Sequence, residues 1–151
     1  MNAPMIENVT FDEISLGQSA QISRTLSKDD IALFATVSGD INPAHLDEEY
    51  ARGNIFHGVV GHGMWSAGLI SAVLGTLLPG PGTIYLQQDI RFRKPVRIGD
   101  TITVRVTVSK KAEDKPVVTF DCVCTNDKGE EVATGTAIVL APVEKIRRSV
   151  T

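Results

Sequence analysis

The sequence predicts an α+β fold in which a curved antiparallel β-sheet wraps around one long central helix. The first observation is the segment from Met64 to Leu78, which is apolar, contains no charged residue and is followed by Pro79-Gly80-Pro81-Gly82. Proline and glycine end a helix at this point. The second observation is a series of alternating apolar and polar segments that fills the rest of the chain.

The elements before the long helix are one strand and short helices. Gln18 to Thr25 is predicted to be a strand, and Ser27 with Asp30 three residues later forms a capping box. This box predicts a helix from Lys28 to about Val37. Asp47 to Arg52 is predicted to be a short helical segment.

Four strands are predicted after the long helix. Their alternating patterns run over Ile84 to Arg93, Ile102 to Val108, Val118 to Cys124 and Val132 to Leu140. The last two are joined through Asn126-Asp127-Lys128-Gly129. Such a sheet leaves an exposed strand edge, which favours a homodimer, or a multiple of dimers, formed by pairing of edges.

The composition indicates one globular domain spanning residues 1–151, with 42% hydrophobic and 22% charged residues and a net charge of −3. No basic tract suits a nucleic-acid partner.

Met1 to Thr10 lacks the basic start and apolar core of a signal peptide, which predicts a cytoplasmic protein. Val59 to Leu78 is glycine-rich, contains His62 and barely reaches the length of a membrane span, so a core helix is predicted and no membrane association.

The turn Ser38-Gly39-Asp40-Ile41-Asn42-Pro43-Ala44-His45 carries the most informative chemistry. Gly39 and Pro43 prevent an ordinary helix, so polar side chains can converge in a defined turn. The carboxylate of Asp40 and the imidazole of His45 suit proton transfer to and from one water molecule. The alternative is structural: Asp40 and Asn42 shape the turn and His45 begins the next short helix.

A second chemical feature is the glycine- and histidine-rich segment from Phe56 to Trp65, which leads directly into the apolar helix. Glycine at a helix N-terminus leaves unpaired N–H groups accessible to a ligand that develops negative charge, as an oxyanion site requires. The alternative is close packing of the helix, through Gly61, Gly63, Gly68 and Gly75.

No metal site is predicted. His45, His57 and His62 lack the helix-face spacing of a zinc protease, and no carboxylate adjoins His57 or His62 in sequence. Cys122 and Cys124 lie on one face of a strand, where they are poorly placed to bridge each other, and are interpreted as small buried hydrophobic residues.

These motifs together resemble the MaoC-like, (R)-specific enoyl-CoA hydratases of the hot-dog fold. The resemblance runs from about Phe11 to Leu140 and rests on the D-x-N-P-x-H turn and the downstream His62-Gly63-Met64. Further matching segments are Ile84-Tyr85-Leu86, Phe92-Arg93-Lys94-Pro95-Val96 and Gly99-Asp100. One departure is Gly58-Val59-Val60-Gly61, where relatives often carry a proline and a hydrophobic residue.

The resemblance implies a role for each candidate site residue. Asp40 and His45 would activate the water, and the Gly63 N–H would meet the thioester oxygen. Four further residues are expected to bind substrate: Asn42, His62, and two helix serines, of which Ser71 is the better positional match and Ser66 the weaker.

The resemblance also implies an acyl-CoA thioester substrate and no cofactor, because coenzyme A is part of the substrate. Its phosphates need nearby cations, and Arg93 and Lys94 are the candidates from a basic group that also includes Arg91 and Arg97. A solvated basic strand edge explains the same residues equally well.

Two other functions stay open from the sequence. A hot-dog acyl-CoA thioesterase would direct water at the thioester carbonyl. A non-catalytic acyl-binding subunit would keep a tunnel for the acyl chain but has no need of an acid/base pair such as Asp40 and His45.

Overall fold

The computed structural model describes residues 3–150. The strands are β1 Met5–Glu7, β2 Ser19–Thr25, β3 Ile84–Phe92, β4 Thr101–Lys111, β5 Val117–Thr125, β6 Glu131–Leu140 and β7 Arg147–Ser149. The helices are α1 Lys28–Ser38, α2 Pro43–Leu46, α3 Glu48–Arg52 and α4 Gly63–Thr76, with a 3-10 turn at Phe11–Glu13. The predicted α+β class is therefore confirmed.

The main sheet has five antiparallel strands in the order β2-β4-β5-β6-β3. Register shifts interrupt the pairing of β3 with β6, β4 with β5 and β5 with β6. Bulges of this kind bend and twist a strand. The sheet packs against α4, which supplies the other side of the core.

Buried side chains alternate with more exposed ones along β4 and β5, and the buried ones pack against one side of α4. The core includes Val104 and Val106 of β4, Phe120 of β5, and Ile70 and Val73 of α4, all nearly or fully inaccessible to solvent. Cys122 and Cys124 are buried free thiols in this cluster, as predicted. Within residues 3–150, no helix is long and apolar enough to cross a membrane.

Helix α1 begins and ends as its sequence predicts. The Ser27 hydroxyl accepts from the Asp30 N–H, and the Asp30 carboxylate accepts from the Ser27 N–H, which completes the capping box. Gly39 closes the helix with a φ of +78°, and its N–H donates to the Ala35 carbonyl. This left-handed C-cap sends the chain into the Asp40 turn.

A second sheet of two short strands, β1 and β7, was not predicted. It pairs Met5–Glu7 with Arg147–Ser149 near the two ends of the described chain. The buried Asn8 side chain donates to the carbonyls of Pro81 and Glu144, which ties this sheet to the loop after α4. Three-residue strands carry too little alternation to be recognised from sequence.

Candidate functional site

The Asp40 turn is held by hydrogen bonds that leave one carboxylate oxygen available. The Asp40 N–H donates to the Ser38 hydroxyl at 3.1 Å, and Asp40 Oδ1 accepts from the Asn42 N–H at 3.2 Å. Asn42 in turn caps α2, because its Oδ1 accepts from the Ala44 N–H. Both residues therefore shape the turn, as the structural alternative expects, while Asp40 Oδ2 remains directed toward His45.

His45 lies on α2 with its ring orientation fixed. Its Nδ1 is 2.6 Å from the Val60 carbonyl oxygen, which can only accept, so Nδ1 carries a proton, and in the neutral imidazole Nε2 then carries the lone pair. Nε2 lies 3.9 Å from Asp40 Oδ2, too far for a direct hydrogen bond. The two predicted acid/base groups thus face each other as two acceptors with a gap between them.

His62 immediately precedes α4 and is buried. Its Nε2 donates to the backbone carbonyl of Asp40 at 2.9 Å. Its ring stacks on His45 with the centroids 3.9 Å apart, and Phe34 packs on it at 4.7 Å. His62 therefore lies behind the acid/base pair.

The start of α4 is bare, as predicted. His62 occupies the N-cap position without a side-chain capping bond, and the first turn contains no acidic residue. Within residues 3–150 the Gly63 N–H makes no hydrogen bond. A Cβ at Gly63 would lie 3.0 Å from the Phe92 ring, so any larger residue here requires that ring to shift by a few tenths of an ångström.

Close packing, the alternative explanation for the glycines in and before α4, applies to Gly61 and Gly63. A Cβ at Gly61 would lie 2.6 Å from Leu26 Cδ2, and Gly63 is against Phe92. Gly68 and Gly75 have nothing within 4 Å of a built Cβ among the described residues. Close packing and an accessible N–H therefore coexist at Gly63.

A cavity of about 290 Å³ opens beside His45 and the start of α4. His45, His62, Gly63 and Ser66 contribute to its wall. Most of the remaining wall is apolar, and it includes Phe56, Val60, Phe92, Pro95, Val96 and Val132. A mostly apolar pocket with a few converging polar groups is typical of a small-molecule site.

The structure separates the two candidate serines. Ser66 is buried and lines the cavity, whereas Ser71 is exposed in an open groove with Phe34, Met64 and Tyr85. The sequence preference for Ser71 therefore does not match the cavity that holds His45. Ser71 could contact an acyl chain only if that chain extended into the second groove.

Arg93 and Lys94 lie at the cavity and are about half exposed. The Arg93 Nε donates to the Thr134 hydroxyl at 3.0 Å, and Lys94 pairs with Glu130. Arg97 donates to the Phe56 carbonyl at 2.6 Å. Arg93 and Lys94 therefore place positive charge at the cavity wall, while Arg97 fixes the loop that forms part of the wall.

One group of potential metal ligands occurs at the site. Asp40, His45 and His62 each place one ligand atom within 4.8 Å of the others, although sequence spacing had not grouped them. Each imidazole already donates an N–H to a backbone carbonyl, and the rings stack. His57 is exposed and is not in the group. The prediction that no metal is used remains a prediction.

Sequence reasoning missed the groups that hold the pair in place. The Val60 carbonyl, the Asp40 carbonyl, and the rings of Phe34 and Phe92 are all part of the site. Backbone carbonyls carry no residue-type signal, so only the folded chain identifies them.

The fold and this site define a class of hot-dog protein in which an aspartate and a histidine of one turn face each other beside an uncapped helix start. The model of the MaoC-like domain family matches residues 12–126, and the chain belongs to that family. An (R)-specific enoyl-CoA hydratase from Rhodospirillum rubrum is 52% identical over 132 residues, which cover 87% of this chain and 91% of the relative.

Two further relatives agree. An (R)-specific enoyl-CoA hydratase from Aeromonas caviae is 40% identical over 89% of this chain and 100% of its own length. Among solved structures, the unliganded R-hydratase PhaJ1 from Pseudomonas aeruginosa matches with a TM-score of 0.93 and 40% identity. That match covers 98% of this chain and 95% of that chain, so the predicted hot-dog fold is confirmed.

Proposed function

We propose that this protein is an (R)-specific enoyl-CoA hydratase, which reversibly adds water to a trans-2-enoyl-CoA to give an (R)-3-hydroxyacyl-CoA. The observation that carries the proposal is the pair of acceptors, Asp40 Oδ2 and His45 Nε2, which lie 3.9 Å apart, with His45 in the wall of the cavity. The R stereochemistry follows the names of the relatives from R. rubrum and A. caviae.

The gap between the two acceptors fits the substrate water. One water O–H can donate to the Asp40 carboxylate and the other to His45 Nε2, which leaves an oxygen lone pair directed at C3. As the C3–O bond forms, Asp40 takes a proton from the water and the C2=C3 electron pair shifts toward the thioester oxygen. The same proton is then delivered to C2, so no atom is gained or lost beyond one water.

The start of α4 supplies the electrophilic group. The Gly63 N–H donates to the thioester oxygen as enolate character develops, and the helix dipole adds to this stabilisation. Removing one such donor typically costs a factor of about 10² to 10³ in rate. Coenzyme A enters as part of the substrate, and the proposal includes no separate cofactor.

Substrate binding is assigned to the cavity wall and its basic rim. The apolar residues and Ser66 would surround the acyl portion, and Arg93 and Lys94 would lie toward the phosphates of coenzyme A. The existing bonds of both cations to Thr134 and Glu130 are exposed, so they can be exchanged for phosphate at little cost.

We propose a homodimer formed through the β3 edge. This strand is at one end of the sheet, where it pairs only with β6 within that sheet and leaves its other edge unpaired. Three of its large hydrophobic side chains are exposed, those of Ile84, Leu86 and Phe92. Met64 on α4, which lines one groove with Leu86, extends the exposed apolar area. A second copy that paired with this edge would cover the groove that contains Ser71.

A hot-dog thioesterase is the closest alternative, and crotonyl-CoA separates the two reactions. Enoyl absorbance and free thiol should be followed together during incubation with the protein. Hydration predicts a loss of enoyl absorbance without thiol release, whereas thiol release equal to that loss would establish a thioesterase. Burial raises the pKa of Cys122 to about 11 and that of Cys124 to about 12, so the protein itself adds little reactive thiol to the assay.

A further inference from the structure

Two imidazoles clamp the acid/base turn to the start of α4. His45, the last residue of the turn, donates from Nδ1 to the Val60 carbonyl, just before α4. His62, at the start of α4, donates from Nε2 to the Asp40 carbonyl within the turn. The two bonds run in opposite directions between the same two segments, and the rings stack between them.

The bonding of His62 leaves it no polar atom for a substrate. Its Nε2 must carry a proton, because the Asp40 carbonyl can only accept. Its Nδ1 is enclosed by protein and has no hydrogen-bond partner among residues 3–150. A buried N–H without an acceptor is costly, so Nδ1 carries the lone pair and the ring is neutral.

The His62 bond is the long-range restraint on Asp40. The bonds of Asp40 to Ser38 and Asn42 join residues two positions apart and shape the turn internally. The bond to His62 joins residues 22 positions apart. Because Gly63 is the next residue, this bond fixes the position of the carboxylate relative to the oxyanion donor.

We infer that His62 is a positioning residue, acting through the Asp40 carbonyl, in place of the substrate contact that the family resemblance suggests. The inference rests on the proposed hydration, in which the base and the Gly63 N–H must reach one substrate together. Displacing a catalytic group by about 1 Å can lower the reaction rate by about 10²-fold.

Two substitutions separate the hydrogen bond from the ring. His62→Phe keeps an aromatic ring but leaves the Asp40 carbonyl without its donor, whereas His62→Gln can place an amide N–H near the position of Nε2. His62→Phe should lower kcat by about 10- to 100-fold with KM changed less than about twofold, and His62→Gln should recover most of kcat. His57→Gln, at an exposed histidine, is the matched control and should resemble the unmodified protein.

A rise in KM at unchanged kcat in His62→Phe would make His62 a substrate contact and overturn the inference. Equal loss in both folded variants would overturn it as well, because the ring would then matter and the donated bond would not.

Nitrogen NMR of the unmodified protein gives a test independent of activity and of variant folding. It should show His62 as the neutral Nε2–H tautomer, and an Nδ1–H tautomer would contradict the proposal. If the unmodified protein hydrates no enoyl-CoA, the proposed function fails, while the NMR result still tests whether His62 donates from Nε2 to the Asp40 carbonyl.

Discussion

At the scale of single residues, the proposed proton transfer depends on two side chains, and the hydrogen bonds that each already makes determine which of its polar atoms is left available. Asp40 Oδ1 is engaged by the Asn42 N–H, and His45 Nδ1 by the Val60 carbonyl. Each residue therefore presents one remaining acceptor, and the two are 3.9 Å apart. The structural and catalytic interpretations of the turn are compatible, because different atoms serve each.

Asp40→Asn and His45→Gln should each reduce hydration by a factor of about 10² to 10⁴, since a positioned general base contributes that much. If both act on one water, the double variant should be little slower than the slower single variant. Steady-state rates with crotonyl-CoA measure both effects, and circular dichroism verifies the fold. Near-normal turnover of either folded single variant would remove that residue from the mechanism.

The turn was predictable from sequence because its chemistry is local. Gly39, Asp40, Asn42 and Pro43 bond or restrict neighbours within a few positions. The link from His62 to Asp40 was not predictable, because its acceptor is a backbone carbonyl 22 positions away. The ranking of Ser71 above Ser66 did not anticipate which serine lines the cavity, since five helix positions separate them by about 140° and only packing decides which side meets the cavity.

At the scale of the elements, the position of β3 sets the wall of the cavity. Phe92 at the end of β3 packs against Gly63, and β3 is held by its pairing with β6. Gly135 of β6 lies opposite Ile90, and a Cβ there would be 2.1 Å from the Asp89 carbonyl oxygen. The pairing of these strands therefore requires glycine at this point.

Gly135→Ala should lower the free energy of unfolding by about 1–3 kcal/mol through overpacking against the β3 backbone. Gly75→Ala is the matched control, because Gly75 lies in α4 with open space around a built Cβ. Alanine there should raise the free energy of unfolding by about 0.5–1 kcal/mol, because it lowers the conformational entropy of the unfolded chain. Urea denaturation measures both changes, and an unchanged midpoint for Gly135→Ala would show that β6 and β3 separate easily.

The long, strongly patterned elements were predicted to within a residue or two, except that β4 continues three residues beyond its predicted end at Val108, to Lys111. The capping box fixed the start of α1, which ends at Ser38, and α4 runs from Gly63 to Thr76 where Met64 to Leu78 was expected. Helix α4 stops before Pro79 because Leu77 and Leu78 both donate to the Val73 carbonyl, which closes its last turn. Strands β1 and β7 were missed because their pairing is between distant, very short segments.

At the scale of the whole molecule, the apolar surface beside β3 is the feature that a lone chain leaves exposed. Met64, Ile84 and Leu86 are all about half exposed or more. The opposite edge strand, β2, is mainly polar, with serine, glutamine, arginine and threonine. Association through β3 therefore removes more apolar surface from water than association through β2.

The protein should sediment as a dimer or a multiple of dimers at micromolar concentration. Leu86→Lys, a charge on the β3 edge, should weaken this association and lower activity with it, since charged edge residues oppose strand pairing. Leu16→Lys is the control, because Leu16 is 67% exposed and lies outside the sheet. Full activity from a protein that sediments as a monomer would refute the proposed interface.

The most direct test of hydration at the Asp40 and His45 face runs the reaction backward. The (R) and (S) epimers of 3-hydroxybutyryl-CoA are supplied separately, and the appearance of enoyl absorbance is measured for each. The (R) epimer should produce enoyl-CoA, and the (S) epimer should be nearly inert because its hydroxyl points away from the two acceptors. Preference for the (S) epimer, or no enoyl product from either, would contradict the proposed reaction at this site.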